Sequence, residues 1–89
     1  MKKYRIRKSI LKALDEYSGT PCNVEDVADY PAFMRLKPSM EELKAEWDQL
    51  EKFSYIKPCE GFDGQYCRIT KKGLKQLNPE FKKDSFVYG

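Results

Sequence analysis

The clearest amphipathic pattern in the chain lies in residues 39–56. Its apolar positions recur at helical spacing and form one broad stripe: Met40, Leu43, Trp47, Leu50 and, on the flank, Phe53. Ser39 is followed three residues later by Glu42, a capping-box pattern in which each side chain can bond a backbone N–H of the first turn. The pattern predicts a helix over Ser39–Phe53 that buries its tryptophan.

The polar side of this predicted helix is mostly acidic. At 100° per residue it carries Glu41, Glu42, Ala45, Asp48, Gln49 and Lys52. Carboxylates on this surface repel phosphate and attract basic partners. The outer face is therefore the main functional clue in the sequence.

Residues 4–17 predict a first helix with one apolar and one basic face. The apolar face is formed by Ile6, Ile10, Ala13, Leu14 and Tyr17. Arg5, Lys8 and Lys12 follow one another at i, i+3 and i+7 on the opposite face. This stripe is interpreted either as an ordinary solvated face or as a phosphate-binding surface. Tyr4 and Leu11 are expected on the solvent side, where they need a cover.

The segment between these two helices predicts a connector, a short helix and a linker. Residues 20–22 form the connector, and Asn23 is a good N-cap for a helix that ends before Pro31. Residues 32–38 are predicted to be a linker with three apolar side chains that fill the gap between helices: Phe33, Met34 and Leu36.

A β-hairpin is predicted after the long helix. Residues 55–59 and 65–70 are extended runs, and Asp63-Gly64 between them is a strong hairpin signal. Pro58 belongs on an edge strand, where its missing N–H costs no ladder bond. A three-residue loop would place Cys59 opposite Cys67, whereas a two- or four-residue loop would send them to opposite faces, so their pairing stays open.

The end of the chain predicts one more helix and an aromatic tail. Thr70 caps a helix over Lys71–Leu77, with Leu74 and Leu77 facing inward. Residues 1–78 are thus interpreted as one domain. Residues 79–89 carry too much apolar surface for a free tail and are expected to dock on this domain or on a dimer mate.

Composition excludes several kinds of chemistry. The chain has 89 residues, 40% of them hydrophobic, which suits one domain with a modest core. It has no histidine, and its three cysteines show no C-x-x-C spacing, so imidazole catalysis is excluded and a zinc site is not expected. We expect no catalysis, no metal and no cofactor. We also expect reduced thiols, no membrane association and a cytoplasmic location, because the apolar runs are short and interrupted by lysine.

Charge is distributed unevenly along the chain. Residues 1–12 hold six basic residues and no acid, whereas residues 13–56 hold ten acids against four bases. Residues 57–89 hold seven bases against four acids. Basic ends therefore flank an acidic middle, although the net charge is only +3.

The order of predicted elements resembles a winged helix-turn-helix domain over about residues 5–77. The closest local similarities are LEKFSYI at Leu50–Ile56 and YCRITKKGLKQL at Tyr66–Leu77. They resemble the end of the recognition helix and the junction between the wing and the closing helix in small prokaryotic transcriptional regulators. The resemblance implies an α+β, mainly α fold, with three helices, a β-hairpin wing and a short closing helix.

The resemblance also implies duplex DNA binding, transcription regulation and a homodimer. It places Ser39–Phe53 as the recognition helix, whose exposed residues would be Glu41, Glu42, Ala45, Asp48 and Gln49. These are not the basic or amide residues that the family presents to bases. Two hypotheses follow. In the first, nucleic acid binds the basic surfaces formed by Arg5, Lys8 and Lys12 and by Lys71, Lys72 and Lys75. In the second, the domain is a protein-interaction module whose acidic helix or aromatic tail holds a protein partner.

Overall fold

The structure is a computed structural model that describes residues 2–17, 20–61 and 66–77. Within these ranges it is α+β and mainly helical, which confirms the predicted class, and it contains five helices and one antiparallel pair of strands. The elements are α1 (Lys2–Glu16), α2 (Val24–Ala28), α3 (Phe33–Leu36), α4 (Met40–Lys52), β1 (Ile56–Pro58), β2 (Cys67–Ile69) and α5 (Lys71–Leu77).

Helix α1 lies at the centre of the fold. It contacts α2, α3, α4, β2 and α5, and its predicted apolar face is buried at Ile6, Ile10, Ala13 and Leu14. The expectation that Leu11 faces solvent is wrong: its side chain is completely buried. The two-sided pattern assumed one packing partner, whereas neighbours on several sides leave only a narrow strip of α1 exposed. Tyr4 is half-buried at the edge of that strip.

The segment after α1 contains a helix that the sequence did not predict. Asn23 and Asp26 form a reciprocal capping box at the start of α2, which confirms the predicted cap. Residues 33–36, predicted to be linker, form the one-turn helix α3, which ends at Lys37 in the left-handed region with φ 45°. Phe33 is buried on the inner side of this turn, but Met34 is 76% exposed and does not fill the predicted gap.

Helix α4 begins at the predicted capping box. The Ser39 hydroxyl accepts from the Glu42 N–H, and the Glu42 carboxylate accepts from the Ser39 N–H. Trp47 lies in the core at 5% exposure, next to buried Leu43 and Leu50. The outermost apolar residues of the predicted stripe are partly exposed, because Met40 is the first helical residue and Phe53 the C-cap. The core thus covers the middle of the helix.

The two strands form the predicted antiparallel hairpin, with Pro58 opposite Cys67 and Lys57 opposite Arg68. Cys59 instead donates its N–H to the Tyr66 carbonyl, so Cys59 is not opposite Cys67, and all three cysteines are free thiols. The predicted Asp63-Gly64 turn lies outside the described residues.

The connector before α2 takes part in the sheet. Cys22 and Cys67 exchange both backbone hydrogen bonds, at 3.0 and 2.8 Å, and form an isolated bridge. Cys22 therefore pairs with the free side of β2, while β1 remains at the edge, as predicted for Pro58.

Helix α5 is held against the end of α4 by a close backbone approach. The Thr70 hydroxyl accepts from the Gly73 N–H, as predicted for a cap, and its own hydrogen lies between the Ser54 carbonyl at 2.7 Å and the Tyr55 carbonyl at 3.1 Å. Gly73 and Gln76 are its buried residues. The prediction for Leu74 is wrong, since it is 41% exposed, while Leu77 packs against the core.

The aromatic tail over residues 79–89 lies outside the described residues. So does any docking of that tail on the domain or on a dimer mate. Among the helices that the structure does describe, none is long and apolar enough to cross a membrane.

Candidate nucleic-acid interface

The predicted basic stripe lines an open groove between α1 and α3, here called the α1–α3 groove. Its volume is about 570 Å³. Helix α1 contributes Arg5, Lys8 and Lys12, and α3 contributes Arg35. Four cationic side chains from two separate chain segments therefore surround one groove, and no acidic residue of the described ranges lines it. This arrangement can bind several neighbouring anionic groups at once.

The floor of the groove positions part of this charge. The Lys8 ammonium lies 3.3 Å from the Tyr4 hydroxyl and 5.7 Å from the centroid of the Tyr4 ring. An exposed lysine side chain is flexible, and a polar and aromatic contact of this kind restrains it. Arg5 and Lys12 are exposed on either side of Lys8. The stripe is thus open to a ligand along its length.

Sequence reasoning missed Arg35 because its segment was interpreted as linker. The available signal was the spacing of Phe33 and Leu36, which are three residues apart. This spacing is typical of one helical turn, and it places Arg35 outside the apolar face of that turn. In the structure Arg35 is exposed in the last turn of α3. The short helix therefore places a guanidinium beside the α1 stripe.

The three predicted cations of α5 have different surroundings. The Lys72 ammonium donates to the Phe53 carbonyl at 2.9 Å and lies 4.9 Å from the Tyr55 ring centroid. This side chain ties α5 to the end of α4, so its role in the structure is at least partly internal. Lys71 lines a separate groove beside the hairpin, and Lys75 is exposed. The predicted α5 surface is therefore not one uniform basic patch.

The outer face of α4 is acidic, as the sequence predicted. Glu41, Ala45 and Asp48 are exposed. The Glu42 carboxylate is bonded to the Ser39 backbone, and Gln49 is half-buried, so both are less available to a ligand than the sequence indicated. The accessible negative charge of this face thus comes chiefly from Glu41 and Asp48, and exposed Lys44 and Lys52 offset it.

A buried ion pair that sequence reasoning also missed joins the two long helices. The Arg7 Nε donates to Glu46 Oε1 at 2.5 Å, and the two side chains are 7% and 9% exposed. Both residues occur at helical spacing from core leucines, Arg7 before Leu11 and Glu46 between Leu43 and Leu50. A charge on a core face is a signal for a buried partner of opposite sign. The pair belongs to the interior, so it adds no charge to either surface.

The thiols are protected rather than reactive. Burial is the largest cause, and the nearby Glu51 carboxylate the next, of a rise in the pKa of the Cys67 thiol to about 12. Burial also raises the pKa of Cys22. Since the thiolate is the reactive form, these two groups are poor nucleophiles. In the described part of the chain, no group of three Cys, Asp or Glu residues is placed to hold a metal ion.

Comparison of the chain with protein-family models, with curated proteins and with solved structures found no match. No relative therefore supplies a function for the basic groove or for the acidic helix face.

Proposed function

We propose that this chain is a non-catalytic nucleic-acid-binding domain that contacts the phosphate backbone through the α1–α3 groove. The observation that carries the proposal is the convergence of Arg5, Lys8, Lys12 and Arg35 on one open groove. Neutralising phosphates with such side chains releases condensed counterions, which is the main source of sequence-independent affinity. Regulation of transcription and a cytoplasmic location belong to the same proposal.

The element order supports a winged-helix arrangement as part of this proposal. In that arrangement α1, α2 and α4 are the three helices, α3 is an additional turn, β1 and β2 form the wing, and α5 closes the domain. Helix α4 then occupies the recognition position. Its exposed Glu41 and Asp48 would face phosphates across a major groove and repel them. Docking through α1 avoids this repulsion.

An alternative function, protein interaction through α4, has one specific observation in its favour. Met34 of α3 is 76% exposed, and Met40, the first residue of α4, is 41% exposed. Exposed methionine beside carboxylates suits a partner that is both basic and apolar. A module of this kind would not bind polyanions, so nucleic-acid binding separates the two functions.

The test is the affinity for a random-sequence duplex, measured by fluorescence anisotropy over a series of salt concentrations. Four neutralised phosphates predict a slope of log K against log salt of about −3.6, at about 0.9 per contact. Replacing Arg5, Lys8 and Lys12 with glutamate should abolish binding. The variant must retain the melting temperature of the parent chain, which is expected because these residues lie outside the core.

The matched control is a reversal of charge elsewhere on the surface. Lys44→Glu changes an exposed lysine of α4 that lies outside the groove, and it should weaken binding only slightly. Unchanged binding by the triple α1 variant, or the same loss from Lys44→Glu alone, would overturn the proposed site. No binding at low salt by the parent chain would instead favour the interaction module.

A further inference from the structure

A second cationic groove lies beside the hairpin, here called the hairpin groove. Its volume is about 510 Å³, and its lining includes Lys57 of β1, Arg68 of β2 and Lys71 of α5. Asp15 of α1 also lines it. Three elements thus bring three cations to one place, and none of these cations lines the α1–α3 groove.

The register of the hairpin places two of these three cations next to each other. Lys57 and Arg68 are directly opposite each other in the antiparallel pair, and both are exposed. Like charges at directly opposed positions destabilise a sheet, whereas opposite charges stabilise it. A phosphate between the two side chains would convert this repulsion into attraction for both.

The two grooves lie along the same face of α1. Lys12 lines the first groove and Asp15 the second, and residues three apart share a helix face. Their Cα atoms are separated by about 4.5 Å along the helix axis, at 1.5 Å per residue. The strip from Arg5 to Asp15 is about 15 Å long on the same rise, which corresponds to about four or five base pairs measured along a duplex axis at 3.4 Å each.

We propose that the hairpin groove is a second phosphate-binding site, and that one nucleic-acid strand runs lengthwise along α1 from the α1–α3 groove into it. This inference rests on the proposed function, because it extends the same backbone contact to Lys57, Arg68 and Lys71. The Asp15 carboxylate also lines this part of the path and places a negative charge beside the three cations.

The test measures duplex binding and its salt dependence for the double variant Lys57→Gln and Arg68→Gln. Loss of two phosphate contacts should make the log–log slope shallower by about 1.8, at 0.9 each. Lys44→Gln with Lys52→Gln removes the same charge from exposed positions of α4 outside both grooves, so its slope should stay near that of the parent chain.

A variant of opposite sign tests the path through Asp15. Asp15→Asn should tighten binding, whereas Asp29→Asn, an exposed residue that lines neither groove, should change it little. Because Asp15→Asn is expected to gain affinity, a fold defect cannot imitate the result.

The outcomes for the two proposals are distinguishable. If the α1 triple reversal abolishes binding but the hairpin variants and Asp15→Asn behave like the parent chain, the second site is overturned and the proposed function stands. If the parent chain binds no duplex at low salt, the proposed function is overturned and the second site with it. A shallower slope for the hairpin variant together with tighter binding by Asp15→Asn supports the continuous path.

Discussion

Helices α1 and α4 pack against each other and have similar inner faces but opposite outer faces. Each buries a row of aliphatic residues in the same core, and the buried Arg7–Glu46 pair links them. The exposed strip of α1 carries Arg5, Lys8 and Lys12, whereas the exposed face of α4 carries Glu41 and Asp48. Packing in a shared core thus requires both inner faces to be apolar, whereas it does not constrain the charge of the outer faces.

The difference bears directly on the docking mode. The cations of α1 are joined by Arg35 from α3, so a second segment adds to the same charge. On α4, by contrast, the capping box uses Glu42, and Lys44 offsets part of the remaining charge. A polyanion is therefore expected on the α1 side of the molecule. In a winged-helix arrangement the polyanion would bind at α4 only if base contacts from α4 outweighed the repulsion between its carboxylates and the phosphates.

The largest expected effect concerns the shared interior. Trp47→Ala should lower the free energy of unfolding by about 3–5 kcal/mol, because it leaves a large cavity in the core beneath both helices. Urea denaturation followed by circular dichroism measures the change. Phe53→Ala, at an aromatic residue 46% exposed at the end of the same helix, is the control and should cost much less. Equal losses would mean that Trp47 is not a core residue.

The ion pair between the helices gives the next largest effect. Glu46→Leu removes the carboxylate that faces the buried Arg7 guanidinium and should cost about 3 kcal/mol, near the lower end for buried pairs because both side chains keep slight exposure. The double variant Arg7→Met and Glu46→Leu should recover most of this loss, since apolar replacement of a whole pair is often neutral. If the double variant is as unstable as the single one, the pair is not the reason for the loss.

A smaller effect is expected where α5 joins the end of α4. A Cβ at Gly73 would lie too close to the Tyr55 carbonyl oxygen and 2.8 Å from Ile69 Cγ1. Gly73→Ala should therefore cost about 1–3 kcal/mol in the free energy of unfolding, as overpacking usually does. Lys75→Ala in the same helix is exposed and should stay within about 0.5 kcal/mol. A stable Gly73→Ala protein would show that α5 can move away from β1.

Local signals predicted the helix starts and the hairpin. The Ser39 and Thr70 caps were predictable because their hydrogen bonds join residues three apart in sequence. The burial of Leu11 was not predictable from local patterns, because it depends on how many elements pack around α1. The bridge between Cys22 and Cys67 joins residues 45 positions apart, beyond any local pattern.

In the candidate site, too, local spacing predicts some residues and tertiary contacts determine the others. The stripe of Arg5, Lys8 and Lys12 follows from helical spacing, so the sequence sufficed for it. Arg35 and the opposed Lys57 and Arg68 needed the tertiary arrangement, since each joins its groove only through packing or strand register. In the run Lys71-Lys72-Gly73, Gly73 permits close packing and the Lys72 ammonium donates to the Phe53 carbonyl, and both of these contacts depend on the tertiary arrangement.

The smallest expected effect separates docking through α1 from docking through α4. Glu41→Gln with Asp48→Asn removes two exposed carboxylates, and stability should change by less than about 0.5 kcal/mol. If nucleic acid lies along α1, these charges act from beyond about one Debye length, so the affinity should rise only about twofold at physiological salt. If α4 enters the major groove, each of these two side chains would meet a base edge or a phosphate. A single base contact is worth about 1–3 kcal/mol, so the same double variant should then change the affinity by about tenfold or more. Anisotropy at two salt concentrations distinguishes these cases, with Lys44→Gln as the variant of opposite sign on the same helix. A large change that persists at high salt would place the ligand on α4 and contradict the α1 docking mode.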